Sequence, residues 1–176
     1  PNQCAMSATA GVYLITGFDN SGGYIRKSTN NGSSWSTVYY NTNSAECPNR
    51  IAINASNGGA ICQAGPQFGA NGFMLKSSDS GSSWSKITSG NSSQTFNKVS
   101  INTSNSNTGY ITIYDSATNK YIQSASSGLS SIGNLISSGS RKWYSVANSD
   151  NGNYILAGAD SGLYLSTNSG SSFSAL

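Results

Sequence analysis

The chain contains no histidine. That excludes Ser-His-Asp and Cys-His nucleophilic catalysis and removes the commonest metal-ligating side chain. Charge is scarce too: charged residues are 9% of 176 positions, against roughly a quarter in an average soluble protein. The net charge of +3 is scattered, and the adjacent basic pairs are only Arg26-Lys27 and Arg141-Lys142. Neither is a basic run of the kind that binds nucleic acid, so no nucleic-acid partner is expected. No apolar run reaches 18 residues, so no membrane insertion by a helix is expected. Carboxylates are few: Asp19, Glu46, Asp79, Asp115, Asp150 and Asp160.

Ser, Asn, Thr and Gly carry the polarity instead. Such bias can signal disorder, but disordered chains lack aromatics and β-branched residues. Here ten Tyr, three Trp and five Phe sit in short regular runs, which argues for a packed core. At this length one domain over residues 1–176 is expected.

Three cysteines, Cys4, Cys47 and Cys62, allow three single pairings and leave one over. A hairpin turning at Asn57-Gly58 places Cys62 opposite Ile53, about 20 Å along the strand from Cys47. That disfavours Cys47–Cys62. Cys4–Cys47 is the expected disulfide, and free thiols are the alternative.

The chain is organised around a repeated stretch, Ser77-Ser78-Asp79-Ser80-Gly81-Ser82-Ser83-Trp84. It recurs as Ser28-Thr29-Asn30-Asn31-Gly32-Ser33-Ser34-Trp35 and as Ser166-Thr167-Asn168-Ser169-Gly170-Ser171-Ser172-Phe173. A weaker copy, from Ser124 to Ser131, keeps the Ser and the Gly but not the acid or the aromatic. The first serines lie 49, 47 and 42 residues apart. A near-constant period with strand-like text between copies marks repeated blades. An Asp or Asn in a tight turn accepts backbone N–H groups one or two residues on. The Gly takes positive φ without steric cost, and the aromatic opens the next strand with a large apolar ring.

The pattern resembles the Asp-box (BNR) repeat of sialidases, sortilin-type receptors and several glycosidases and lectins. The resemblance implies a turn between the third and fourth strands of a β-propeller blade, with Ser28, Asn30, Gly32, Trp35, Ser77, Asp79, Gly81, Trp84, Ser166, Asn168, Gly170 and Phe173 in structural roles. It covers the scaffold and not catalysis. The sialidases' three arginines face a central site, whereas Arg26 lies beside a box. There is no Arg-Ile-Pro motif near the start, and Glu46 is the one glutamate.

Each repeat reads as four short strands separated by Gly/Asn/Asp/Ser clusters, so the chain is expected to be all-β. The position three before each box Ser is Ile25, Met74, Tyr121 and Leu163, apolar as a repeated packing position requires. Four blades, at about 1–41, 42–90, 91–138 and 139–176, fill the chain. A closed four-bladed β-propeller is the expected architecture. Half of an eight-bladed ring built from two chains is the alternative. Outer edges left open would support end-to-end or edge-to-edge assembly.

For function, no catalytic residues, cofactor or metal are expected. Glycoside hydrolysis needs two carboxylates across the bond, and one carboxylate at Asp79 is too few oxygens for calcium. Asp19, Asp115 and Asp160 recur just past the second strand and form a candidate ligand-binding ring, with turn formation as the plainer role. Trp143 and Tyr144, beside Tyr39 and Tyr40, are candidate sugar-stacking rings. Sequons at Asn31, Asn54, Asn91 and Asn102 permit N-glycosylation in a secretory pathway. The start at Pro1, with no basic or apolar leader segment, suits a mature secreted product or a truncated piece of a longer chain. The expected function is that of an extracellular structural or adhesive protein that self-associates. The alternative is a carbohydrate-binding module with glycan partners, and a glycosidase-related enzyme ranks below both. The structural reading leads because no candidate ring recurs in all four blades.

Overall fold

The computed structural model describes residues 3–7, 11–19, 21–43, 47–54, 60–64, 73–87, 95–101, 109–114, 121–126 and 131–176. Sixteen strands pair into four antiparallel sheets of four. Blade 1 holds β1 (Gln3–Ser7), β2 (Val12–Asp19), β3 (Gly22–Ser28) and β4 (Ser36–Asn41). Blade 2 holds β5 (Pro48–Ile53), β6 (Ala60–Ala64), β7 (Phe73–Ser77) and β8 (Ser85–Lys86). Blade 3 holds β9 (Thr95–Ile101), β10 (Gly109–Tyr114), β11 (Ile122–Ser126) and β12 (Ser131–Leu135). Blade 4 holds β13 (Trp143–Asn148), β14 (Ile155–Ala159), β15 (Gly162–Ser166) and β16 (Ser174–Ala175). In every blade the strands neighbour one another in chain order. The all-β expectation and the four-by-four plan therefore hold.

Strand alternation sends one row of side chains toward the preceding blade and the other toward the following blade. Three apolar clusters result, one in each gap. Val12, Leu14 and Ile25 of blade 1 meet Ile51, Ile53, Phe73 and Leu75 of blade 2. Met74 and Ile87 meet Val99, Ile101 and Ile132. Ile122 and Leu135 meet Trp143, Val146, Ile155 and Ala157. The first strands β1, β5, β9 and β13 lie side by side in that order. Among the described residues no comparable packing joins β13 to β1, and no fourth cluster forms. The expected closed ring is thus an open arc of four blades. Among the described residues no blade packs against the preceding-side row of blade 1 or the following-side row of blade 4.

The register corrects the third repeat. Val99, Ile111 and Gln123 stand opposite one another in one row, as Ile51, Cys62 and Leu75 do. Gln123 therefore matches Leu75, and Ile122 takes the place of Met74; Tyr121 does not. Counting on from Ala125, which replaces the box Ser, reaches Ile132, buried where the other boxes put an aromatic. The weak copy thus starts at Ala125, one residue later than its sequence spacing implies, and one residue reverses the face of every side chain in a strand.

The cysteine expectations also change. Cys62 pairs with Ile51, not Ile53. Cys4 and Cys47 are both free thiols. Cys47 packs on Gly23, where an added Cβ would lie 2.7 Å from its Sγ. Gly23 pairs with Phe18 and Cys4 with Ile15, so they sit two strands and three residues apart. That is about 10 Å in each direction, beyond the reach of a disulfide.

Candidate functional site

Three of the repeated turns share one hydrogen-bond pattern. The Ser28 hydroxyl donates to Asn30 Oδ1 (3.0 Å) and accepts from Gly32 N–H (2.9 Å). Asn30 Oδ1 in turn accepts from Ser34 N–H at 2.9 Å. The second copy repeats this with Ser77, Asp79, Gly81 and Ser83. The copy in blade 4 repeats it with Ser166, Asn168, Gly170 and Ser172. The side-chain oxygen thus reaches a backbone N–H four residues on, further than the local turn expected from sequence. Asn31, Ser80 and Ser169 sit at φ near +57°, just before a glycine at positive φ. Two successive left-handed residues tighten the turn, and only the glycine was signalled by residue type. The indoles of Trp35 and Trp84 close it by donating to the carbonyls of Gly32 (3.0 Å) and Gly81 (3.1 Å).

In Asp79, burial opposes ionisation. Hydrogen bonds from the Ser83 hydroxyl and N–H, the Ser77 hydroxyl and Ser82 N–H outweigh it and bring the carboxyl down to about 2. Asn30 and Asn168 fill the same place without charge. The turn therefore needs an acceptor and not an anion.

These turns also join blades. A Cβ added to Gly81 would lie 2.7 Å from Leu14 Cδ2 of blade 1, and one on Gly170 would lie 3.0 Å from Leu135 Cδ2 of blade 3. The Ser137 hydroxyl of blade 3 donates to the Gly170 carbonyl. The first turn has no such neighbour: a Cβ on Gly32 would meet only its own Trp35, at 3.8 Å. The opposite end is open in the same way. Ile25, Met74 and Ile122 are 0%, 1% and 0% exposed, whereas Leu163 in the matching place is 52% exposed. Leu14 pairs with Lys27 as Leu156 pairs with Leu165; Leu14 is fully buried and Leu156 is exposed.

The acids do not form a ring of equivalents. Gly17 pairs with Tyr24 as Ala159 pairs with Gly162, each partner four residues before its box Ser. Asp160 follows Ala159 directly, whereas Asp19 lies two residues past Gly17. Asp19 Oδ1 accepts from Ser21 N–H (2.9 Å), Gly22 N–H (3.0 Å) and the Tyr40 hydroxyl (3.2 Å). The Ser21 N–H foremost, with Tyr40, Gly22 and Arg26, holds its carboxyl below the usual range. This is turn chemistry. Asp115 lies outside the described residues.

Trp143 is not a stacking surface. It is 1% exposed, with Tyr164 edge-on at 5.3 Å and its indole donating to Gly139 O at 3.2 Å. Tyr144 is exposed. Asn54 is fully buried, which rules out a glycan there in this fold, while Asn31 is exposed. Asn91 and Asn102 lie outside the described residues. The three arginines have separate partners. Arg26 covers Tyr24 at 4.3 Å, Arg50 donates to Asn49, and Arg141 covers Tyr164 and donates to Ser138 O.

A cleft beside the first repeated turn has no signal in residue type. Trp35, 40% exposed, lines a cleft of about 350 Å³ between the first two boxes. Thr29, Ser34 and Ser36 present hydroxyls there, and Lys27 crosses it to hydrogen-bond the Ser82 hydroxyl at 2.7 Å. The box pattern accounted for the tryptophan as a plug, so its exposure carried no signal.

Antiparallel four-stranded sheets stacked face to face along their first strands define a β-propeller scaffold, here an arc of four blades. Solved propeller structures match it. A GH74 enzyme of Niastella koreensis superposes with a TM-score of 0.74 at 16% identity, covering 98% of this chain and 29% of that one. The Dos1 propeller gives 0.62 at 13%, covering 96% and 44%. YCF48 bound to a D1 peptide gives 0.58 at 15%, covering 98% and 52%. At these identities the likeness is one of fold. The chain spans between 25% and 57% of the length of the solved chains that it matches here. No family model matches the chain. No curated relative matches it either.

Proposed function

We propose that the chain is a non-catalytic, extracellular structural or adhesive module of the Asp-box propeller kind, acting by self-association through its terminal blade faces. The observation that supports this is Leu163, exposed at a position where Ile25, Met74 and Ile122 are buried by a following blade. An exposed apolar copy of a face that three other blades bury favours such association. Low charge and the exposed sequon at Asn31 favour the extracellular setting. Of the outer strands, β8 and β16 are only two residues long and offer little edge to pair with, whereas β4 and β12 run to six and five residues. The commitment of Asp19 and Asp79 to their own turns favours the non-catalytic reading. Sedimentation over a concentration series, with electron microscopy of the same material, tests the reading. Dimers or ordered polymers are expected, and a monomer throughout overturns it.

A second reading, carbohydrate recognition, is favoured by the Trp35 cleft, whose lining combines a half-exposed indole with Thr29, Ser34, Ser36 and Lys27. A glycan array tests it. Binding that disappears in Trp35→Ala supports this reading, and no binding removes it.

A further inference from the structure

We infer that the cleft between the first two boxes takes an acidic saccharide, held by the Lys27 ammonium through a carboxylate or sulfate group. This rests on the carbohydrate reading and names the class of sugar.

The cleft belongs to the junction of blades 1 and 2. Leu14, Lys27 and Ser36 stand opposite one another in the row that faces blade 2, and Ser82 comes from the box turn of blade 2. Its two sides therefore come from blades whose packing is described. A volume of about 350 Å³ is at the small end for ligand sites and suits a sugar unit or two.

The lining offers donors and no anionic acceptor. Lys27 Nζ donates to Ser82 Oγ at 2.7 Å and has further protons to give. Ser82 Oγ is itself committed, donating to the Asp79 carbonyl at 2.9 Å. No carboxylate lines the cleft. The Asp79 side chain is spent on Ser77 and Ser83 in its own turn.

The first box adds a donor through one residue change. In blade 2 the Ser83 hydroxyl donates to Asp79 Oδ2 at 2.6 Å. Blade 1 has Asn30 in place of that acid. Its Oδ1 accepts the Ser34 N–H, so its amide Nδ2 meets the Ser34 hydroxyl and donates to it at 2.8 Å. Asn for Asp thus reverses this bond and leaves the Ser34 proton available to a ligand. Trp35 Nε1 is spent on the Gly32 carbonyl, so the half-exposed indole offers apolar surface and no hydrogen bond. A neutral sugar presents hydroxyl protons that want strong acceptors, and the lining side chains supply none beyond hydroxyls. An ammonium, a hydroxyl proton and an apolar ring fit a sugar that carries its own negative charge.

Isothermal titration calorimetry on the whole chain decides this. The probes are an oligogalacturonate and its methyl ester, a sulfated galactan oligosaccharide and its desulfated form, and an oligoglutamate peptide. At least one acidic saccharide is expected to bind about tenfold more tightly than its neutral form, and added salt to weaken it. Which of the two does so names the anion. Lys27→Met is expected to abolish the preference and Lys27→Arg to keep it, with circular dichroism and thermal melting checking the fold. Ser34→Ala, at an exposed position, is the second variant if Lys27→Met melts early; it is expected to weaken the acidic form several-fold and the neutral form little. A neutral form bound as tightly as the acidic one, or an acidic preference that survives Lys27→Met, overturns the inference and leaves carbohydrate recognition standing. Oligoglutamate bound as tightly as the saccharides overturns it in favour of an acidic peptide. No binding of any saccharide overturns both.

Discussion

Gly81 and Leu14 touch across the gap between the first two blades, so close that a single methyl on the glycine would lie 2.7 Å from Leu14 Cδ2. The repeated turn is therefore both a hairpin device and a piece of the blade interface. Its glycine is needed for positive φ and for lack of bulk at once.

Comparing two alanine substitutions separates those needs. Gly81→Ala meets a φ of +77° and the Leu14 side chain, and is expected to cost about 2–4 kcal/mol. Gly32→Ala meets a φ of +83° in open space, and is expected to cost about 1–2 kcal/mol. Urea denaturation of both variants checks the difference, and equal losses would mean that the turn contributes nothing to blade packing.

Ile122 and Leu163 occupy one repeat position in two environments. Ile122→Ala leaves a cavity between blades 3 and 4 and is expected to cost about 2–5 kcal/mol. Leu163→Ala, measured on dilute single chains, is expected to stay within about 0.5 kcal/mol. Thermal unfolding of both at low concentration gives the comparison. A large loss for Leu163→Ala there would place a covering group on that face within the single chain.

Asp79 titrates at about 2 in the fold against an ordinary 3.8. Its folded value is the lower one, so its contribution to stability is complete above about pH 4 and disappears as pH falls through 2. Asp79→Asn is expected to leave the melting temperature nearly unchanged at pH 7, as Asn30 and Asn168 serve the same turn. It is expected to flatten the decline between pH 4 and pH 2. Melting curves across that range decide. The Asp19 carboxyl, also held low, leaves a residual slope in the variant.

The thiols of Cys4 and Cys47 are expected to differ in reactivity. Cys4 is exposed, whereas burial and the nearby Asp19 charge push the Cys47 thiol up, leaving less thiolate at neutral pH. Alkylation followed by peptide mass spectrometry is expected to label Cys4 first and to find no Cys4–Cys47 bridge without reductant.

Much of the architecture was legible in the chain. Alternating apolar strands and the spacing of Ser28, Ser77 and Ser166 determined an all-β propeller scaffold with a turn between third and fourth strands. Those signals are local, because a turn's φ values and an adjacent strand's alternation depend on residues within a few positions. Where the local pattern weakened, at Ser124, the register slipped by one. Strand pairing placed Ile122 and Ile132 correctly because long-range hydrogen bonds set register. Tertiary structure alone decided the rest. Trp143 looked like a sugar platform and is walled in by Tyr164 and Phe173. Trp35 looked like a plug and lines a cleft. Leu163 looked like Ile25 and Met74 and stands exposed. A side chain's type is written in the sequence, but its exposure depends on which distant segment packs over it, and among the described residues none covers Leu163.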